Sequence, residues 1–301
     1  MSLAAELWSG PWEISPALAT ALPLAAWIYA RGWRALHARI PARLPRWRLA
    51  AFGGGLAVLF VALASPLDTL GPLVLCVHMA QHMLLMVLAP PLLLLGAPKL
   101  PLLRGLPTAA ARSAAGQIVR WPPVRRLGAL LAHPALGWSA MAVATWGWHT
   151  PAAFQLALRV EAWHVVEHAS FLAAGLLFWW PVVEPWPSRR RWPRWAMVPY
   201  LLLADLQNTG LAALLTFSDR VIYPFYEGVP RIAGLSPLDD QTAAGVLMWV
   251  PMSIAYLVPA CAITFRLLSP GRGARPAASR RALAPARSRG RARSRTSPAA
   301  P

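Results

Sequence analysis

Cysteine is almost missing from this chain: there are two in 301 residues, Cys76 and Cys261. The apolar pattern places them near opposite ends of two different helices. A disulfide needs Cα atoms within about 7 Å, so two free thiols are expected. No Cys-x-x-Cys-His occurs, which excludes covalent c-type haem attachment. Charged residues make up only 13% of the chain, too few for the surface of a soluble domain this long. Also missing are a glycine-rich phosphate loop, a nucleophile elbow, a Walker lysine and any internal repeat. The segment from Met1 to Glu13 contains two Glu and no Lys or Arg. A secretory leader begins with positive charge, so none is expected here.

What fills the chain is hydrocarbon. Hydrophobic residues account for 57% of it, in repeated runs of about 20, the length that crosses a bilayer core as helix. The fold expected is all-α: a polytopic membrane protein with seven transmembrane helices, at about 14–30, 49–67, 72–95, 127–149, 160–181, 195–217 and 242–266. All but three of the 29 Lys and Arg fall in the first, third and fifth loops or in the tail from Arg266 onward; the exceptions are Arg159, Arg220 and Arg231. By the positive-inside rule this puts the N-terminus outside and the C-terminus in the cytoplasm. Seven is an odd number, as that orientation requires. The acids Glu6, Glu13, Asp68, Glu161, Asp219, Glu227, Asp239 and Asp240 all fall outside. Tryptophans such as Trp121, Trp179, Trp180 and Trp195 sit at span ends, where interfacial belts form.

Residues 1–268 are therefore read as one seven-helix transmembrane domain. Residues 269–301, rich in Arg, Ala, Pro and Ser, are read as a disordered basic cytoplasmic tail lying near anionic inner-leaflet lipid. The net charge of +18 thus belongs to a lipid bilayer partner. A nucleic-acid role is not expected, because no folded partner domain accompanies the basic tail and few aromatics stand ready to stack.

Five of the seven histidines gather on one side of this topology: His78, His82, His149, His164 and His168. Two pairs stand four apart, so each pair shares a helix face. At about 1.5 Å rise per residue, His78 and His82 lie roughly 9 and 15 Å below the outer surface, and His164 and His168 roughly 6 and 12 Å. Met248 and Met252 reach similar depths from the last span, and Asp205 and Asn208 lie near the midplane. Ionisable groups at membrane depth are costly and mark function. Imidazole suits copper, zinc and iron, and thioether favours Cu(I). The metal-site candidates are His78, His82, His149, His164, His168, Met86, Met248, Met252 and Asp205. Met79 and Met83 adjoin them, and Glu167 and Asp205 are read as groups that orient imidazoles. His37 and His133, on the cytoplasmic side, are read as structural. His149 stands between an interfacial cap and a ligand. The string His164-Val-Val-Glu-His168 matches the H-x-x-E-H pattern of zinc proteases, but it is short and prone to chance matches.

The chain resembles a known family at several of these places. The stretches are His78-Met-Ala-Gln-His82-Met-Leu-Leu-Met86 running into Ala89-Pro90-Pro91, His133-Pro134, Trp148-His149-Thr150-Pro151, Glu167-His168 leading to Phe178-Trp179-Trp180-Pro181, and Tyr223-Pro224-Phe225-Tyr226. They resemble the CtaG family of cytochrome c oxidase assembly factors, seven-span bacterial membrane proteins, over about residues 14–268. The resemblance implies a bacterial inner (plasma) membrane protein, not an enzyme, with cytochrome c oxidase subunits as partners. It implies copper as the metal handled, and His78, His82, His149 and His168 as candidate ligands. His164 and Asp205 come from the depth argument alone. Three alternatives remain open: a haem-binding membrane electron-transfer protein, an intramembrane zinc hydrolase, and a structural scaffold whose histidines are satisfied internally.

Overall fold

A computed structural model describes residues 12–188, 192–231 and 234–269. The tail from 270 onward, to which the disorder reading mostly applies, lies outside the described residues. Those described form helices and connecting turns, with no strand among them. The helices are α1 (Pro16–His37), α2 (Arg46–Ala64), the short α3 (Pro66–Leu70), α4 (Leu75–Leu95), α5 (Lys99–Gly105), α6 (Ala109–Arg120) and α7 (Pro122–Leu131). They continue as α8 (Pro134–Trp148), α9 (Pro151–Arg159), α10 (Glu161–Val183), α11 (Met197–Thr216) and α12 (Pro237–Leu268).

Five segments are long and apolar enough to cross a membrane: Arg46–Leu70, Leu75–Leu95, Glu161–Val183, Arg194–Thr216 and Pro237–Leu268. A sixth arises if α7 and α8 count as one broken span, since they meet at 63°. The expected rod over 127–149 is therefore bent. Pro134 has no N–H to donate and drives the residue before it out of helical conformation. His133 obliges at φ −77° and ψ 128°, and its ring takes the N-cap position of α8, accepting from Ala135 N at 3.2 Å. The expected first span matches α1, which has 22 residues but carries Pro23 inside and Arg31 and Arg34 near its end. It is not among the five.

Hydrogen bonds tie the helices and their connections together at both ends of the bundle. At one end the Tyr226 hydroxyl donates to Gly71 O, the Tyr223 hydroxyl donates to His149 O, and Asp240 accepts from Leu75 N and Cys76 N. That carboxylate caps α4 from another helix, where Val74 offers no side-chain cap. Burial pushes the Tyr223 and Tyr226 phenols well above their ordinary pKa, so both stay protonated as donors. At the other end Tyr29 donates to Gly96 O, Arg48 to Leu95 O and Arg31 to Pro107 O.

Helix α4 sits at the centre, packed on α2, α10 and α12, while α8 packs on α10 and α11 on α12. Its middle is a π-helical turn over Leu84–Leu88, where the sequence runs into Pro90-Pro91. A proline supplies no N–H to the carbonyl four residues back, so Met86 O loses its helical donor. Trp179 Nε1 of α10 replaces it at 3.2 Å. The approach depends on Gly175, because a Cβ there would stand 2.6 Å from Met86 O and 2.7 Å from Pro90 Cγ. The Pro90-Pro91 dipeptide is thus the docking point between α4 and α10.

Candidate metal centre

The face of α4 that carries His78 and His82 meets the face of α10 that carries Glu167. Glu167 Oε2 lies 3.8 Å from His78 Nε2, and Glu167 Oε1 lies 3.7 Å from His82 Nε2. All three side chains are buried, His78 and Glu167 completely. One candidate ligand atom from each lies within 4.8 Å of those of the other two. A second group of three, Asp68 of α3 with His164 and His168 of α10, meets the same measure and is less deeply buried.

The two groups adjoin. Ring centroids lie 4.2 Å apart for His78 and His82, 4.1 Å for His164 and His168, and 5.5 Å for both His78–His164 and His82–His168. His149 joins at the C-terminus of α8, with its ring 6.5 Å from that of His82. Its Nδ1 bonds Thr145 O at 2.6 Å, which makes Nδ1 the protonated nitrogen and leaves Nε2 with a free lone pair. Phe154 and Phe171 wall the cluster, 5.2 Å from His78 and 4.5 Å from His82.

These polar atoms lack partners. Both ring nitrogens of His78 and of His82, Nε2 of His149, His164 and His168, and both oxygens of Glu167 are buried without a hydrogen bond. Buried polar groups are ordinarily satisfied, and leaving one unmade costs about 1–3 kcal/mol. So many unpartnered donor atoms in one place are what a set able to hold a metal ion requires. A small cavity below His82 extends the set with soft donors. It is lined by Met79, Met83, Met86, Met248 and Met252, together with His82, His149 and Thr145.

The structure therefore brings together His78, His82, His149, His164, His168, Met86, Met248 and Met252. Asp205 stands apart from the rings, its Oδ1 accepting from Ser253 Oγ at 2.6 Å. Nearby, Asn208 Nδ2 donates to Met248 O at 3.2 Å, tying α11 to the methionine-bearing turn of α12. His37 and His133 behave as structural groups: His37 Nδ1 bonds Leu44 O and its ring stacks on Trp33, while His133 packs edge-on against Trp192. Cys76 and Cys261 are both free thiols.

Two acids play larger parts than the sequence assigned them. Glu167, read as an orienting group, lies within reach of the His78 and His82 nitrogens. Asp68, read only as an outside acid, reaches the second histidine pair. Its signal was its place in a short segment that leads straight into the first histidine helix. The H-x-x-E-H string does not act as one unit, because its two histidines group with Asp68 and its glutamate with the pair on α4.

A family model described as cytochrome c oxidase caa3 assembly factor matches residues 27–269. The chain is similar to uncharacterized proteins of Mycobacterium bovis and Mycobacterium tuberculosis, each 28% identical over 242 residues, 79% of this chain and 36% of the relative. It is likewise similar to one of Mycobacterium leprae, 27% identical over 218 residues, 71% of this chain and 33% of the relative. The chain spans about a third of the length of these curated relatives. No solved structure matches.

Proposed function

The chain belongs to the family of cytochrome c oxidase caa3 assembly factors, and from that premise we propose that it carries copper as cargo for haem–copper oxidase. The ion is held by His78, His82 and Glu167, with His149 and the methionines of α4 and α12 on its deeper side. Asp205 is kept as an acid that acts from a distance through α12. The protein delivers a metal and need not catalyse a reaction. In this reading it spans the bacterial inner membrane seven times, with α1 and the bent α7–α8 pair as the added spans. Its N-terminus is outside and its basic tail lies against inner-leaflet lipid.

The observation that carries the proposal is the convergence of five imidazoles and one carboxylate with unpartnered, buried ligand atoms. The neighbouring methionines favour Cu(I) over zinc, since thioether is a soft ligand. The haem alternative has less support. Glu167 lies between His78 and His82, and Phe154 and Phe171 close against the rings, so no slot for a planar macrocycle separates them. A scaffold with internally satisfied histidines fits poorly with so many unpartnered nitrogens.

The test is elemental analysis and absorption spectroscopy of the detergent-purified chain after exposure to copper, wild type against His78→Ala/His82→Ala. Copper retained by wild type, lost in the variant and without a Soret band is expected. Equally little copper, zinc and iron in both proteins would overturn the proposal, and a Soret band in wild type would replace it with the haem reading.

A further inference from the structure

The two ligand groups differ in a way that gives them different tasks. His78 and Glu167 have no exposed surface, and His82 has 3%. A hydrated ion cannot reach such groups in one step, because it must shed its water before any of them touches it. Asp68 and His164 are half-buried and His168 is 8% exposed; Nε2 of both rings is itself covered, so the less buried carboxylate of Asp68 is the group an arriving ion can meet. The carboxylates of Asp68 and Glu161 both act electrostatically on His164.

We propose that Asp68, His164 and His168 form an entry site that captures the incoming metal ion and passes it by ligand exchange to His78, His82 and Glu167. This rests on the reading above, that the buried cluster carries metal. The Nε2 atoms of His164 and His168 are unpartnered, so neither needs to break a bond to take the ion. His164 stands 5.5 Å from His78, and His168 stands 5.5 Å from His82, centroid to centroid. An ion on the outer pair is therefore already beside the next ligands. Asp68 is held in place by Gln81, whose Nε2 donates to its Oδ1 at 2.6 Å and to Ala62 O at 2.8 Å. Gln81 lies between the two histidines of α4 in sequence, so the same helix that carries the deep ligands positions the entry carboxylate. Gly71 keeps the ground between them open, since a Cβ there would sit 3.2 Å from His78 Nδ1.

The mechanism gives a kinetic signature that a single shared site lacks. Asp68→Asn keeps an oxygen for Gln81 but removes the charge. Zn(II), which undergoes no redox change, is mixed with the detergent-purified full-length chain, and free zinc is followed with an indicator dye by stopped flow. Bound metal at equilibrium is measured separately. With zinc at about half an equivalent per chain, so that His78, His82 and Glu167 hold all of it at equilibrium, wild type and Asp68→Asn are expected to bind the same amount, with the variant loading about tenfold more slowly, the low end of what electrostatic focusing contributes to an on-rate. His164→Ala should show the same slow loading. An unchanged rate in both variants would overturn the entry site while leaving the copper proposal standing. Loss of equilibrium binding along with the rate would also overturn it, by making Asp68 part of one site. A wild type that takes up neither zinc nor copper is the separate failure of the copper reading itself.

Discussion

Gly175→Ala tests the seam between α4 and α10, on which the proposed metal centre depends. The added methyl carbon would stand 2.6 Å from Met86 O, 2.7 Å from Pro90 Cγ and 3.2 Å from Met86 C. Ordinary van der Waals contact begins near 3.4 Å, so the helices must part by about 0.8 Å at this point. Neither obstacle yields readily, one being backbone and the other a proline ring. The same parting stretches the bond from Trp179 Nε1 to Met86 O from 3.2 Å to about 4 Å, where it no longer exists. Overpacking costs about 1–3 kcal/mol and an unpartnered buried carbonyl about 1–3 kcal/mol. The two overlap, so a loss of about 2–4 kcal/mol is expected. Glu167 lies two turns away on α10, and its separation from His78 and His82 should widen with the seam. The assay is thermal unfolding in detergent, with copper retention measured on the same preparation. Gly53→Ala is the control, because nothing lies within 4 Å of its Cβ position, and it should leave stability unchanged or raise it by up to about 1 kcal/mol. A Gly175→Ala protein that melts with wild type and holds copper equally well would refute the account of this seam.

Two further predictions concern the ligands. Glu167→Gln keeps the shape and removes the anion between His78 and His82, so copper and zinc affinity should fall about 10–100-fold, read by competition with a chelator; a variant that retains metal at wild-type affinity would remove Glu167 from the ligand set. Met248→Leu/Met252→Leu preserves volume and packing while removing two thioethers from the cavity. It should weaken Cu(I) binding and spare Zn(II), and equal loss of both metals would assign these methionines to packing alone.

The apolar runs, the alternation of basic loops and the four-residue spacing of the histidine pairs were all legible before any coordinate was known. Each follows from local geometry, since bilayer thickness sets span length and helical periodicity sets which residues share a face. The bend at His133-Pro134 belongs to the same class, because proline acts on its immediate neighbours. The reading of 127–149 as one rod gave hydropathy more weight than that local rule.

What the chain could not show by itself is which helices are neighbours. Depth along a helix follows from counting residues, but the direction a side chain faces relative to another helix depends on packing. That is why Asp205, at a plausible depth, ends bonded to Ser253, while Asp68, in a five-residue helix with no periodicity of its own, joins two histidines of α10. It is also why Glu167 leaves the string that surrounds it and meets the other histidine pair. Sequence determined that this chain is a helical membrane protein with imidazoles gathered toward one end. Only the tertiary structure decided that they form two adjoining clusters, because the contact between α4 and α10 rests on a glycine, a tryptophan and a carbonyl freed by proline, on two helices far apart in the chain.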